Sequence, residues 1–171
     1  MLPNGDNIPI GKGVNVKMTL TWELTSGEIA KSYKMNMTAD SWEYTDYSKA
    51  IFSLIGSAFN NAEGSPAAWD YDLDLAYNAS KSTITDADKF YGTYVYEKSD
   101  VQLLAGGEFK IRRDHGWDIN FGYSADNIKG NDTENFTDNG GNIKVTTGGT
   151  YDVIFKYTAP AKTWEVTFTK K

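Results

Sequence analysis

Residues 107–123 read GEFKIRRDHGWDINFGY, in which two stretches of alternating apolar and polar residues flank a turn-forming sequence. In the first run, Phe109 and Ile111 alternate with Lys110 and Arg112, and the second run repeats the alternation. A period of two indicates a half-buried strand, because successive side chains point to opposite faces. The intervening RDHG contains an aspartate and a glycine, both of which favour a turn. The stretch therefore predicts two adjacent antiparallel strands with Phe and Ile side chains in a core.

The same pattern recurs along residues 48–171, where short strands are separated by turn clusters. The predicted strands are AIFSLIGS, DLDLAY, FYGTYVY, GEFKIRR, WDINFGY, GNIKVTT, GTYDVIFKY and TWEVTFTKK. No segment has a sustained 3.6-residue apolar stripe, so the spacing favours an all-β antiparallel sandwich or barrel over a crossover fold. The polar insert NIKGNDTENFTDNGGN, residues 127–142, has the length and composition of a loop.

Residues 1–47 form a separate N-terminal segment. VNVKMTLTWEL, residues 14–24, alternates apolar and polar side chains, TSGE makes a turn, and IAKSYKMNMTA, residues 29–39, reads as the return strand. An isolated hairpin is marginally stable in water, so this one must dock on other strands. It is either the end of an adjoining Ig-like domain or a pair of strands added to the sandwich. We place the domain boundary near residue 48.

Composition narrows the classes of partner. The formal net charge of −6 argues against nucleic acid and against an anionic membrane surface, since both require clustered Lys and Arg. The chain has no apolar run of about 18 residues that would span a membrane. Its first residues lack the features of a secretory signal, so a lipid anchor is expected only on a full-length precursor. Five Trp, eleven Tyr and eight Phe beside one His favour binding through flat apolar faces over proton transfer.

Three arrangements of polar residues invite a catalytic or metal reading. Asp114 and His115 resemble a base with an orienting carboxylate, but a turn at RDHG makes His115 an exposed turn residue. Two sets of carboxylates occur at alternate positions, which puts each set on one face of a strand. A glycosidase could use two such carboxylates, but a strand face exposed to solvent has the same pattern. These carboxylates are Asp70, Asp72 and Asp74, with a second set at Asp86 and Asp88. The segment DNIKGNDTE, residues 126–134, is rich in oxygen ligands but does not have the spacing of an EF-hand loop. The two alternatives are that this loop holds an ion and that it binds no metal.

Common phosphate-binding, hydrolase and zinc motifs are also missing from the sequence. We therefore expect a protein that is not an enzyme and that needs neither a cofactor nor a resident metal. Exposed aromatics flanked by polar side chains instead suit sugar rings, which present an apolar C–H face and a rim of hydroxyl groups.

Three segments resemble, in the same order, the starch-binding modules of the SusE/SusF class of outer-membrane lipoproteins. They are IFSLIGSAFNNAEGSPAAWD (51–70), AGGEFKIRRDHGWDINFGY (105–123) and the closing GNIKVTTGGTYDVIFKYTAPAKTWEVTFTKK (141–171). In that class a loop ends in Trp-Asp or Trp-Asn, and a GEFKF-like strand, a Trp and an NYG or NFG segment follow. The resemblance implies an Ig-like β-sandwich of the carbohydrate-binding type. It further implies non-catalytic α-glucan binding on a lipid-anchored surface protein of a Bacteroidetes-type bacterium, within a glycan-uptake system that includes other outer-membrane proteins.

The resemblance also assigns site residues. Trp69 matches the aromatic that stacks on sugar, and Lys110 and Arg112 lie on the strand that carries a basic donor in the family. Alternation puts Lys110 and Arg112 on one face, and Arg112 is the favoured donor. Trp117 is a second stacking platform by analogy, and Asn120 a further donor. The alternatives are that Trp69 closes its loop over the core and that Trp117 packs in the core or on its own hairpin. A further alternative is that the module is a structural or protein-interaction spacer without a sugar site.

Overall fold

The computed structural model describes residues 15–21, 34–41, 46–85, 91–159 and 161–171, with the strand backbone alone in the first two ranges. The chain divides into two compact units, Met1–Tyr44 and Thr45–Lys171. The second unit therefore begins just before the boundary placed near residue 48, and the first buried side chain that the structure describes in it is Tyr47, which is 6% exposed.

The first unit contains an antiparallel pair of strands. Strand β1 (Asn15–Thr21) pairs with β2 (Lys34–Ser41), and the register runs from Thr21 opposite Lys34 to Asn15 opposite Ser41. This pairing agrees with the predicted N-terminal hairpin. The TSGE turn, Trp22 and Trp42 lie outside the described residues.

The second unit contains eleven strands and two short 3-10 turns in its described residues, and the predicted all-β class is confirmed. The turns are Tyr47–Lys49 and Thr133–Asn135. The strands are β3 (Phe52–Gly56), β4 (Asp72–Tyr77), β5 (Thr83–Ile84), β6 (Gly92–Leu103), β7 (Glu108–Arg113), β8 (Asn120–Phe121), β9 (Ile128–Lys129), β10 (Phe136–Asn139), β11 (Asn142–Val145), β12 (Gly149–Ala159) and β13 (Thr163–Lys170).

The strands form two hydrogen-bonded layers that share β4. One layer has the order β10-β11-β7-β3-β4, and the other continues as β6-β12-β13-β9. The first part of β4 pairs with β3 and its last two residues pair with β6, so this strand passes from one layer to the other. Strand β5 adds to β6 and β8 adds to β7, and β9 pairs with β13 in parallel while the other pairings are antiparallel.

The layers pack face to face through an aromatic core, which makes the fold a β-sandwich. The ring of Phe52 in β3 lies 4.6 Å from that of Tyr96 in β6 and 5.0 Å from that of Phe155 in β12, measured between centroids. Farther along the sandwich, Phe109 in β7 lies 5.8 Å from Phe168 in β13. Tilted and edge-to-face rings at these distances are the favourable geometries for aromatic pairs.

The core positions predicted in residues 107–123 are largely confirmed. Phe109 and Ile111 are fully buried, Phe121 is buried, and Ile119 is half-buried against the core. Lys110 and Arg112 consequently fall on the outer face of the first layer, as the alternation predicts. This outer face carries the candidate site.

The loop prediction for residues 127–142 is wrong, because the segment contains β9, the second 3-10 turn and β10. Its single aromatic residue, Phe136, is 2% exposed and stacks on Phe168 at 4.1 Å. The three residues that follow it are polar and exposed, and Asn135, which precedes it, is polar although it is buried, so the composition does not reveal the strand. The largest differences in strand extent are at β6, which continues to Leu103 beyond the predicted FYGTYVY, and in WDINFGY, which pairs only at Asn120–Phe121.

Candidate functional site

Two exposed tryptophans lie side by side on the first layer. Trp69, at the end of the β3–β4 loop, is 38% exposed, and Trp117, after the β7–β8 turn, is 49% exposed. Their ring centroids are 6.2 Å apart and the ring planes are inclined by 37°. We call these two residues the tryptophan platform. Neither ring belongs to the hydrophobic core, and both keep surface that a ligand can reach.

The β7–β8 turn determines where Trp117 stands. Asp114 and His115 both have positive φ, +51° and +54°, and the Gly116 N–H donates to the Arg113 carbonyl at 2.9 Å. Two consecutive positive φ values are typical of the tight I′ hairpin turn, and aspartate tolerates this conformation better than most residues. The Asp114 carboxylate also accepts from the Ile51 N–H at 2.9 Å. The turn is thereby tied to the neighbouring strand, and Trp117 is held beside Arg112.

Arg112 is clamped beneath Trp117. Its guanidinium carbon lies 4.8 Å from the centroid of the Trp117 ring, within the range of a cation–π contact. Its Nε donates to Asp72 Oδ1 at 2.8 Å, and its Nη2 donates to Asp72 Oδ2 at 2.5 Å. The Ser53 hydroxyl donates to the same carboxylate at 2.7 Å. This bidentate pairing fixes the plane of the guanidinium and leaves three of its five N–H donors for other partners.

The ion pair is largely shielded from water, with the side chains of Arg112 and Asp72 10% and 14% exposed. The hydrogen bond from Arg112 lowers the pKa of Asp72 below its ordinary value, although burial acts in the opposite direction. The same hydrogen bond raises the pKa of Arg112. Both groups therefore stay charged at neutral and mildly acidic pH.

Lys110 and Asn120 complete the patch. Lys110 Nζ donates to Asn120 Oδ1 at 3.3 Å, and Asn120 Nδ2 donates to the Trp117 carbonyl at 2.8 Å. In the described part of the chain Lys110 has no ion-pair partner, so its ammonium group keeps donors for a ligand. The five residues that the sequence singles out, Trp69, Lys110, Arg112, Trp117 and Asn120, thus lie in one connected group.

Sequence reasoning missed the partners that β4 supplies to this group. His115 Nε2 lies 2.8 Å from Asp74 Oδ1, so the carboxylate beside the histidine is Asp74 and not the adjacent Asp114. Asp72 binds Arg112 as described above. The alternating carboxylates of β4 were the available signal, but their partners are 40 and 41 residues away in sequence. The second acidic set, Asp86 and Asp88, lies outside the described residues.

No protein-family model, curated protein or solved structure matches this chain. The SusE/SusF resemblance therefore stays a prediction from the sequence, and the function has to be argued from the site. Within the described ranges, no group of three or more His, Asp or Glu side chains is placed to hold a metal ion. The helical turns of those ranges are too short and too polar to span a bilayer.

Proposed function

We propose that residues 45–171 are a non-catalytic glycan-binding module whose ligand stacks on the tryptophan platform, with an α-glucan as the first candidate. The observation that carries the proposal is the exposed contact between Trp69 and Trp117. Indole rings exposed together cost free energy in water unless a ligand covers them, and large exposed apolar patches often mark binding sites. A sugar ring suits an indole face because its C–H face is apolar.

The polar side chains around the platform supply the second half of sugar recognition. Lys110 offers ammonium donors, and Arg112 offers the N–H groups that Asp72 does not use. Because Asp72 already fixes Arg112, little side-chain entropy is lost when a ligand binds. The family resemblance makes Arg112 the main donor. The geometry favours a different division, in which Arg112 chiefly positions Trp117 and Lys110 is the more accessible donor.

The inclination of the two rings supports a curved chain as ligand. Successive sugar units that stack on rings inclined by 37° must turn relative to each other. An α-1,4-glucan turns in this way, whereas a flat ribbon such as a β-1,4-glucan presents successive units in nearly parallel planes. Each stacked ring contributes on the order of 1 kcal/mol beyond its buried area, so a single module should bind weakly.

The proposal extends to location and partners on the strength of the sequence resemblance. We place the module on a lipid-anchored protein at the bacterial outer surface, where it would act with other outer-membrane proteins of a glycan-uptake system. Several weak modules on one cell would raise avidity without any new contact.

Affinity electrophoresis in gels containing amylopectin tests the proposal. We expect amylopectin to retard the full chain, and we expect Trp69→Ala and Trp117→Ala to abolish retardation while far-UV circular dichroism stays unchanged. Tyr91→Ala is the matched control, because Tyr91 is 39% exposed but lies outside the platform. Equal retardation of all four proteins would place binding elsewhere. A chain that neither amylopectin nor a panel of plant and host glycans retards would instead be a spacer module.

A further inference from the structure

A groove on the second layer is separate from the tryptophan platform. It is formed by strands β6, β12 and β13 together with the residue that precedes β9, and its volume is about 380 Å³. Small-molecule sites typically occupy roughly 300 to 1,000 Å³. The residues that line it are Thr93, Asn127, Lys156, Thr158, Thr163, Trp164 and Glu165.

The lining is rich in hydroxyl and amide groups that are free to bind. Thr93 and Thr158 share a hydrogen bond of 3.0 Å between their hydroxyl oxygens. Across the described residues, the side chains of Asn127, Thr163 and Glu165 make neither hydrogen bonds nor ion pairs. A ligand that offers both donors and acceptors can therefore bind without displacing an internal contact.

The groove has a rigid framework. Lys156 lies opposite Glu165, and Thr158 lies opposite Thr163, in the part of the β12–β13 register nearest the turn. The Trp164 ring packs on Phe121 and Phe155 at centroid distances of 5.3 and 6.2 Å. Side chains on paired strands keep their spacing, so the site is formed before a ligand arrives.

The chemistry of the lining identifies the class of ligand. The positive charge of Lys156 and the negative charge of Glu165 offset each other, which favours a neutral ligand over an anion or a cation. The ring of Trp164 is packed against the core and the other side chains that line the groove are all polar or charged, so an apolar peptide would find no set of anchors. A saccharide unit satisfies both conditions.

We propose that this groove is a second saccharide-binding site, distinct from the platform and on the opposite layer of the sandwich. The module would then engage a polysaccharide at two places, or join two chains of it. The inference goes beyond the proposed function, because the groove needs neither Trp69 nor Trp117.

Titration of the ¹⁵N-labelled full chain, followed by nuclear magnetic resonance, tests the groove and the platform in one experiment. The probes are maltoheptaose and then cello-, xylo- and manno-oligosaccharides at millimolar concentration. The backbone amide of Trp164, between the groove residues Thr163 and Glu165, reports on the groove, and the indole N–H groups of Trp69 and Trp117 report on the platform. We expect a saturable shift of the Trp164 resonance with at least one probe, in the native chain and in the Trp69→Ala/Trp117→Ala variant.

Thr163→Val removes one hydroxyl from the groove and preserves the β-branched shape of the side chain. We expect it to weaken the Trp164 response about fivefold, the effect of one lost hydrogen bond. Thr169→Val is the matched control, because Thr169 is exposed on the same strand and the same face but outside the groove. The control should bind as the native chain does.

The outcomes separate the two proposals. Shifts of the Trp69 and Trp117 indoles without any shift of Trp164 would overturn the groove and keep the platform. A Trp164 shift that survives the loss of both platform tryptophans would support the groove whatever the platform does. A Trp164 response that disappears in the platform variant, or that Thr163→Val and Thr169→Val weaken equally, would also overturn it.

Discussion

Replacing Asp72 by asparagine removes the charge that holds Arg112 beneath Trp117 and keeps the size of the side chain. In the native protein the Asp72 carboxylate accepts two hydrogen bonds from the guanidinium and one from the Ser53 hydroxyl. Asparagine keeps one acceptor oxygen and replaces the other with an NH₂ group. This group cannot accept a hydrogen bond from the guanidinium or from the Ser53 hydroxyl. Arg112 would then stay largely buried with its charge uncompensated.

The size of the effect follows from the burial of the pair. Breaking a buried ion pair by removing one partner costs about 3 to 5 kcal/mol, and a hydrogen bond to a charged group contributes about 1.5 to 3 kcal/mol. Because the two side chains are 10% and 14% exposed, some water reaches the site. We expect Asp72→Asn to lower the free energy of unfolding by about 2 to 4 kcal/mol at neutral pH. With a urea dependence near 2 kcal/mol/M, the unfolding midpoint falls by about 1 to 2 M.

The same change should alter how stability depends on pH. The pKa of Asp72 is lowered in the folded state, so its contribution is fully present above the unfolded pKa of about 3.9 and is lost as the pH falls through the folded value. The difference between the native chain and Asp72→Asn should therefore stay constant near neutral pH and shrink below about pH 4. Glu97 and Asp152, whose pKa values are also lowered, are present in both proteins and cancel in the difference.

Urea unfolding followed by near-ultraviolet circular dichroism measures both quantities. Asp74→Asn is the matched control, because Asp74 lies on the same strand and face, with 52% of its side chain exposed, and pairs with His115 across water-exposed surface. An exposed pair contributes about 0 to 1 kcal/mol, so the control should unfold near the native midpoint. Equal losses in the two variants, or an Asp72→Asn difference that persists undiminished at about pH 3, would refute the clamp.

Two further experiments test the packing of the sandwich. Gly56→Ala should lower the free energy of unfolding by more than about 2 kcal/mol, because a Cβ there would lie 2.1 Å from the Glu108 carbonyl oxygen. Gly140→Ala is the control, and it should cost only about 1 kcal/mol because nothing lies within 4 Å of a Cβ there. Urea unfolding measures both variants. Phe136→Ala should cost about 3 to 5 kcal/mol on thermal unfolding if the residue is core, whereas a loop residue would change stability by less than about 1 kcal/mol.

Much of the sandwich could be predicted because strand periodicity is a local property. DLDLAY is strand β4, residue for residue, and the alternation in GEFKIRR separates the buried Phe109 and Ile111 from the outward Lys110 and Arg112. Each of these assignments depends only on neighbouring residues and on the opposite orientation of successive side chains.

The strands of the polar insert could not be predicted in the same way. Strand β10 buries only Phe136, and β9 is held by two parallel pairs with β13. Backbone hydrogen bonds hold both strands, those of β10 to β11 across Gly140 and Gly141 and those of β9 to the distant β13, and backbone groups leave no trace in composition. The exposure of Trp117 was equally hidden, because it depends on the sign of φ at Asp114 and His115.

The geometry of the candidate site depends on the local alternation of side chains in β7 and on a long-range contact with β4. The contact with β4 explains why the site is rigid. Alternation puts Lys110 and Arg112 on the outer face, but Asp72 decides where the guanidinium points, and Asp72 belongs to the strand that passes from one layer to the other. The residues of β4 that follow Asp72 are therefore fixed by pairing with β3 and then with β6. To reorient, the guanidinium must give up two hydrogen bonds to a carboxylate whose backbone is held in the sheet. The tryptophan platform thus rests on a support that is in place before any ligand binds, and a weak ligand need not order it.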